Sequence, residues 1–338
     1  MKSKGRQRNV QQHFVTAAYL AGFTPKASRD SQLYVYERNG KKIFRLIPDE
    51  AAKRRNYYSI PQEDGRFNDV VDTMLTALEG QAMPSLRKLL TGNYDLPTFE
   101  RRLLGHLIAF QEFRTPWARA SFQKMALHLS TQMMRTAAQA PGYLEHTLEK
   151  LKAKGEVDGS VTAGQMRDIL RNENIKLTAK PHAGIDTMVS TAQHIGGIYT
   201  QMLWTVLHAK EGEFLTSDAP VVRRDPEFRG EFYSGGLMSA TAEIWFPLCK
   251  RTCLLIGHDQ ERRARFQELL EAGKKAEAQA IITELPAIRG GYVAAQLVQA
   301  VNRQTVVNAE RFVYSPFESK EISNLLKGEC QNLRIVVD

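Results

Sequence analysis

The strongest constraint on the fold is a change in the spacing of apolar residues along the chain. Between residues 67 and 207 these residues recur every three or four positions, as in helices that bury one stripe. After residue 210 they form short β-branched and aromatic runs bounded by proline or glycine, as strands do. The sequence therefore predicts a mostly helical α+β protein with a small antiparallel sheet built mainly from the second half.

The same spacing predicts the individual elements. A helix is expected to begin after Pro97, and the Thr115-Pro116 pair is expected to interrupt it. An Asn39-Gly40 dipeptide predicts a tight hairpin between two apolar runs. The predicted helices cover residues 11–23, 67–90, 98–114, 117–134, 143–154, 162–172, 187–207, 260–283 and 292–308. The predicted strands cover residues 33–36, 43–47, 213–218, 243–248, 252–256, 311–314 and 333–337.

Charge and glycine content predict the domain organisation. The first acidic residue is Asp30. Six basic residues precede it, and they carry six of the nine surplus positive charges of the chain: Lys2, Lys4, Arg6, Arg8, Lys26 and Arg29. We expect residues 1–10 to form a flexible basic arm that can bind nucleic acid. We expect residues 11–338 to form one integrated domain, with an exposed insertion near 141–180, where a polar, glycine-bearing stretch lies.

Composition narrows the class of protein. Apolar residues make up 43% of the chain and charged residues 25%, as in ordinary globular proteins. No run of 18 apolar residues occurs and the N-terminus lacks the apolar core of a signal peptide, so we expect no membrane partner. The odd set of Cys249, Cys253 and Cys330 favours reduced thiols and a cytoplasmic location.

The motifs that identify several large enzyme classes are missing. The chain contains no G-x-x-x-x-G-K-[ST] phosphate loop and no G-x-G-x-x-G after a predicted strand. It also lacks H-E-x-x-H, G-x-S-x-G and the protein-kinase set. Cys249-x-x-x-Cys253 has no second ligand pair nearby, so a zinc site is not indicated.

Several polar residues occupy positions where the helical spacing predicts burial. Glu79 lies beside the apolar stripe of its helix, and Gln111 and Arg114 continue the stripe of the next helix. His13 is surrounded by aromatic and β-branched residues, and its spacing alone favours a core histidine that donates to a carbonyl over a catalytic one. A buried charge is costly unless it is paired, so Glu79 and Arg114 are expected to contact each other or a shared ligand. The alternative is that each reaches solvent beside its stripe.

Further polar residues stand at the end of a predicted strand and on the last long helix. Ser217 and Asp218 begin a turn before Pro220, where side chains commonly face a pocket. The alternative is a purely structural turn, in which these side chains hydrogen-bond to the neighbouring backbone. Asn302 is an amide near an apolar face.

These residues belong to a series of short segments that resembles a bacterial family, domain-of-unknown-function family 4238. The matching segments, in order, are Gln12-His13-Phe14-Val15, Leu33-Tyr34-Val35-Tyr36, Glu79, Gln111-x-x-Arg114-Thr115-Pro116, Thr216-Ser217-Asp218-x-Pro220, Phe246-Pro247-Leu248 and Arg311-Phe312-Val313-Tyr314-Ser315. Thr16 departs from the family, which usually has a proline there. The resemblance implies a bacterial or phage-associated intracellular protein. It also implies that five polar residues form one constellation: His13, Glu79, Gln111, Arg114 and Asp218. It implies no reaction.

The residue types allow one concrete hypothesis. His13, Glu79, Arg114 and Asp218 are predicted to be catalytic in a metal-dependent phosphodiesterase or nuclease. In this hypothesis Glu79 and Asp218 hold Mg²⁺ or Mn²⁺. Arg114 stabilises phosphoryl charge and His13 acts as base or third ligand. The residues predicted to contact substrate are Gln12, Gln111, Ser217 and Asn302.

Two other functions stay open from the sequence. The same residues can form a non-catalytic binding or effector module with a buried polar network. They can also belong to a toxin that consumes NAD as a transferase, with Glu79 as its carboxylate.

Overall fold

The described part of the chain contains a five-stranded sheet and a four-stranded sheet, together with eleven α-helices. A computed structural model describes residues 10–38, 42–62, 64–140, 142–171, 184–227, 236–237 and 239–328. The strands are β1 (Gln11–His13), β2 (Leu33–Glu37), β3 (Ile43–Leu46), β4 (Lys53–Arg55), β5 (Ile60–Pro61), β6 (Phe67–Asn68), β7 (Leu203–Ala209), β8 (Thr216–Ser217), β9 (Val222–Arg224), β10 (Glu243–Cys249), β11 (Thr252–Gly257), β12 (Arg289–Val293) and β13 (Phe312–Ser315).

Helices account for most of the remaining described residues. They are α1 (Ala17–Leu20), α2 (Val70–Leu90), α3 (Thr98–Phe113), α4 (Pro116–Gln139), α5 (Tyr143–Ala153), α6 (Ala163–Arg171), α7 (Ile185–Gln201), α8 (Gln260–Glu271), α9 (Lys275–Thr283), α10 (Ala295–Asn308) and α11 (Lys320–Gly328). Two 3₁₀ turns, Ala21–Phe23 and Pro48–Glu50, follow α1 and β3. No helix in the described ranges is both long and apolar enough to cross a membrane.

The prediction of a small antiparallel sheet from the second half is wrong. The described residues contain thirteen strands in four sheets. One sheet has five strands in the order β12-β7-β11-β10-β9, and its β12 and β7 are parallel. A second sheet has the order β3-β2-β13-β8 and joins strands from both ends of the chain. The two remaining sheets are the pairs β1-β4 and β5-β6.

The error has a physical cause in β7 and β12. Trp204 and Val206 on β7 are fully buried, and a buried strand reads as an apolar run that a helix could equally produce. β12 contains Gly290 and Gly291, which have low strand propensity, and it is held by its parallel pairing with β7. Tertiary pairing therefore overrode the local pattern, and the helices predicted over 187–207 and 292–308 each include residues of a strand.

The prediction of a helix over residues 11–23 is also wrong at its start. Gln11, Gln12 and His13 pair antiparallel with Arg55, Arg54 and Lys53. Helix α1 begins only at Ala17. The two strands form a short ribbon with three consecutive basic residues on β4.

Other predicted elements are confirmed. The hairpin strands β2 and β3 pair antiparallel. Helix α3 starts directly after Pro97 and ends before Pro116, where α4 begins. The turn predicted at Asn39-Gly40 and the strand predicted over 333–337 lie outside the described residues.

Helices α2 and α3 are joined by a short connection and locked by polar contacts. Ser85 and Lys88 on α2 both bind the carboxylate of Glu100 on α3, at 2.9 Å and 2.6 Å. Gly105 on α3 lies against α7, because a Cβ there would come within 2.5 Å of Thr200 Oγ1. These contacts join the end of α2 to the start of α3 and hold the middle of α3 against α7.

Arg101 fixes α3 to the five-stranded sheet as well. Its buried guanidinium donates to the carbonyl oxygens of Pro286 and Met202. It also lies 5.1 Å from the centre of the Trp204 ring. Burial, together with the charge of Arg262, lowers the pKa of Arg101 to about 10.

The chain divides into two compact units. Residues 1–116 and 188–338 form the first, and residues 117–187 form the second. In the second unit α5 and α6 pack through Leu144 and Leu170. The predicted single domain, and the exposed insertion near 141–180, stay predictions. Residues 172–180 of that insertion, and residues 1–9 of the predicted basic arm, lie outside the described residues.

Candidate functional site

The constellation has its centre in an ion pair between α2 and the end of α3. Arg114 Nη1 donates to Glu79 Oε1, and Arg114 Nη2 donates to Gln111 Oε1. Arg114 is 1% exposed and Glu79 22% exposed. The expectation that Glu79 and Arg114 contact each other is therefore met, and Glu79 keeps access to solvent.

Gln111 fixes this pair to the opening segment of the chain. Its Nε2 donates to the carbonyl oxygen of Phe14 at 2.9 Å, while its Oε1 accepts from Arg114. Tyr57 Oη donates to the carbonyl oxygen of Arg114 at 3.0 Å. Gln111 is 2% exposed and positions Arg114, and it is not one of the residues that line the cavity described below.

Arg114 retains one donor that the protein does not use. Its buried Nε has no hydrogen-bond partner among the described residues, although the side chain lines the cavity. Burial alone would lower the pKa of Arg114, but the charge and hydrogen bond of Glu79 together with Tyr58 and Tyr57 outweigh it, and the pKa is raised. Arg114 is therefore a fixed cation beside the cavity, and its Nε–H group is buried and unpaired.

His13 lies in β1, on the opposite wall. Its Nε2 is 3.3 Å from the carbonyl oxygen of Asp49, and because a carbonyl only accepts, Nε2 must carry the hydrogen. In the neutral ring Nδ1 is then the basic nitrogen. Burial and the charge of Lys53 lower the pKa of His13, against the opposing effects of Asp49 and Glu79. His13 is thus neutral at pH 7 and can accept a proton.

These side chains share one elongated cavity of about 530 Å³. One wall is a face of α2, and the other consists of residues from β1, α1 and the following loop. We call this cavity the α2 groove. The lining residues used below are Gln12, His13, Arg29, Asp72, Thr76, Glu79, Gly80, Met83, Arg87 and Arg114.

Basic side chains border the α2 groove. Arg87 is exposed on the groove face of α2 and has no carboxylate partner within the described ranges. Lys53, Arg54 and Arg55 stand on β4, paired with the β1 residues that line the groove. Arg29 also lines the groove and forms an ion pair with Asp49. Basic side chains therefore lie on both sides of the groove, together with the carboxylates Asp49, Asp72 and Glu79.

Gln12 serves mainly to hold its own wall together. Its Oε1 accepts from the Tyr58 amide at 2.7 Å, and its Nε2 donates to Ser59 Oγ at 3.4 Å. Ser59 Oγ in turn donates to Asp69 Oδ1. Although Gln12 lines the groove, it is 2% exposed and its amide is already engaged.

Asp218 lies apart from this groove. Its carboxylate accepts three backbone N–H groups, from Glu310 at 2.8 Å, Arg311 at 2.7 Å and Phe312 at 2.9 Å. It does not line the cavity, and it is 3% exposed. Asp218 anchors the start of β13.

Ser217 and Asn302 also bind backbone. Ser217 Oγ accepts from the Ala219 amide at 3.1 Å. Asn302 accepts from the Leu215 amide and donates to the Glu213 carbonyl, both at 2.8 Å. Neither residue lines the groove, so the structure does not bring the predicted substrate contacts Ser217 and Asn302 to His13 and Glu79.

The donor set predicted for a metal ion does not assemble around the α2 groove. Glu79 lines the groove, whereas both oxygens of Asp218 are taken by backbone N–H groups elsewhere. Among the described residues, no group of three His, Cys, Asp or Glu side chains suited to a metal occurs. The Mg²⁺ or Mn²⁺ ion stays a prediction, and no step proposed below depends on it.

Sequence reasoning missed Arg87, Arg29 and Asp49. Arg87 could have been found, because it follows Glu79 by eight residues and Asp72 by fifteen, on one helical face. Arg29 and Asp49 could not, because only the folded chain brings this pair to the groove.

The fold and site define an α+β protein with a polar, partly cationic groove between its opening segment and a long helix. Comparison with known proteins identifies the family. The family model described as "Protein of unknown function (DUF4238)" matches residues 11–318, and the chain belongs to this family. The resemblance inferred from the ordered segments is confirmed. No curated protein and no solved structure matches the chain.

The departure at Thr16 leaves the start of α1 in the geometry that a proline would give. Thr16 has φ −64° and ψ 138°, and proline fixes φ near the same value. The threonine therefore enters the helix as a proline would, and it keeps an N–H group.

Proposed function

We propose that the protein binds a phosphodiester in the α2 groove and hydrolyses it, with His13 as general base. The observation that carries the proposal is the convergence, on one groove, of a neutral histidine and a buried arginine with an unused N–H group. The basic residues of β4 and Arg87 favour an anionic ligand.

The proposed step uses only groups of this chain and water. His13 Nδ1 takes a proton from a water molecule as the water oxygen bonds to phosphorus. The bond from phosphorus to the leaving oxygen breaks, and that oxygen takes a proton from solvent. Arg114 Nε donates to a non-bridging phosphate oxygen, whose charge increases in the transition state. Glu79 holds Arg114 in position.

The test compares two histidine variants of the full chain on fluorescent single-stranded RNA and DNA. His13→Gln should slow cleavage by about 100-fold or more, the usual contribution of a general base. His208→Gln is the matched control, since burial also lowers the pKa of His208 and it does not line the groove. Full activity in His13→Gln, or no cleavage by the natural chain, would contradict the proposal. Assays with EDTA and with added Mn²⁺ test the predicted metal.

A second candidate is a binding module without catalysis. It is supported by the observation that Glu79 and Gln111 are already engaged within the chain, as in a structural network. Such a protein should bind oligonucleotides without cleaving them, and His13→Gln should change only affinity. Consumption of NAD in the same preparation would instead favour the transferase alternative.

We also propose that the protein is located in the cytoplasm. Cys249 and Cys253, the cysteines in the described ranges, are both free thiols. This is the state favoured in a reducing compartment.

A further inference from the structure

The α2 groove is long in one direction. Its lining residues on α2 run from Asp72 through Thr76, Glu79 and Met83 to Arg87, all on one helical face. Fifteen residues of α-helix rise about 22 Å. A volume of about 530 Å³ spread over that length describes a narrow trough rather than a round pocket.

The charges along the trough are unevenly compensated. Glu79 is paired with Arg114, Arg29 is paired with Asp49, and Asp72 is engaged with another group. Arg87, at one end of the lined face, forms no ion pair within the described part of the chain. Glu79 and Arg87 are eight residues apart, which corresponds to about 12 Å along the helix. Along the helix axis, Arg87 is thus offset by about 12 Å from the residue that pairs with Arg114.

The second wall includes β1, and its partner strand β4, which does not itself line the trough, carries basic residues. Lys53 and Arg55 on β4 pair with His13 and Gln11 on β1. Neither forms an ion pair with a carboxylate in the described part of the chain, although Lys53 lies close enough to Asp49 to add to the lowering of that carboxyl's pKa by Arg29. A compact anion needs only one such cation. A row of cations beside a narrow trough suits a polyanion whose charges repeat along its length.

We propose that the trough takes an extended single-stranded polynucleotide, and that Arg87 binds a phosphate of the strand distant from the one at Arg114. This inference rests on the proposed function and adds to it the class of substrate. It assigns Arg87 a role in substrate length selection rather than in chemistry.

The test measures affinity for labelled oligothymidylates of two, four and six nucleotides. The full-length His13→Gln variant is used so that the probes stay intact. Affinity should rise by about tenfold from the dinucleotide to the hexanucleotide. Adding Arg87→Gln should weaken hexanucleotide binding by about fivefold and leave the dinucleotide unaffected. It should also reduce the slope of log K against log salt by about 0.7, the value for one single-strand phosphate contact.

Arg102→Gln is the matched control, because Arg102 is an exposed arginine on α3 that does not line the trough. Equal affinity for dinucleotide and hexanucleotide would overturn the inference while leaving the proposed hydrolysis intact. Equal weakening by Arg102→Gln would overturn the assignment to Arg87. Absence of both binding and cleavage would instead remove the proposed function itself.

Discussion

The carboxylates of Asp218 and Glu79 lie in two regions that satisfy an acid in different ways. Asp218 is 3% exposed and accepts three backbone N–H groups, so its bonding capacity is spent on the chain. Glu79 is 22% exposed, has one charged partner and borders a groove. In the first region the acid anchors the chain, and in the second it lies at the candidate site.

The comparison shows why residue types alone do not define a site. Both acids belong to family landmarks, and both were predicted to hold the same metal. What separates them is the source of their hydrogen bonds. A carboxylate that is saturated by backbone amides fixes a strand, whereas an ion pair with an unused donor next to open space can meet a ligand.

The largest expected effect is the loss of stability when the Asp218 carboxylate is removed. Asp218→Ala removes the buried acceptor of three part-buried backbone N–H groups, so the free energy of unfolding should fall by about 3 kcal/mol. Asp218→Asn, which keeps one oxygen acceptor, should lose about half as much. Urea unfolding measures both. A loss below about 1 kcal/mol in Asp218→Ala would show that the carboxylate is not a structural anchor.

A smaller loss of stability is expected at the ion pair of the groove. Glu79→Gln leaves Arg114 buried without a counter-charge, and the partial exposure of Glu79 limits the cost to about 2 kcal/mol. The double variant Glu79→Gln with Arg114→Met should recover most of this loss, because the lone charge is gone. Additive losses measured by urea unfolding would argue against a coupled pair.

His13→Gln should change stability least among these substitutions. The residue contributes one long hydrogen bond to the Asp49 carbonyl from a half-buried position, so we expect a loss below about 1 kcal/mol. Its effect on turnover should nevertheless be the strongest of the three. A stability loss as large as that of Asp218→Ala would assign His13 to the structural region.

The smallest expected effect is a pH dependence. The pKa of folded His13 lies below its ordinary value, so the unfolded chain binds the proton more readily. Its contribution to stability is complete above about pH 6.5 and declines as the pH falls toward the lowered pKa. Lys53, Asp49 and Glu79 are the charges that act on the ring. His13→Gln should therefore flatten the stability profile below pH 6.5, and an unchanged profile would contradict the lowered pKa.

Local patterns predicted the elements whose signals are contained in their own sequence. The spacing of apolar residues located α2 and α3, and the prolines marked the boundaries of α3 and α4. The β2–β3 hairpin was likewise visible from its two apolar runs. Each of these signals lies within or immediately beside the element, so no distant partner is needed to read it.

Elements that depend on distant partners were misread. Gln11–His13 has no strand signal of its own and becomes a strand only by pairing with Lys53–Arg55. β12 likewise depends on β7, more than eighty residues earlier in the chain.

The site was half predictable for the same reason. Glu79, Gln111 and Arg114 stand beside helical stripes, and their burial forces a mutual contact that spacing can suggest. The position of Asp218 away from the groove could not be predicted, because sequence does not show which amides will reach a carboxylate. Its donors come from residues 310–312, more than ninety positions away.

The central claim is that the α2 groove holds a phosphodiester strand between His13 and Arg114. A crystal structure of the His13→Gln variant with a hexathymidylate tests it most directly. The account predicts a phosphate oxygen within hydrogen-bond distance of Arg114 Nε and a second phosphate near Arg87. A strand bound elsewhere on the protein, with the groove filled only by water, would contradict it.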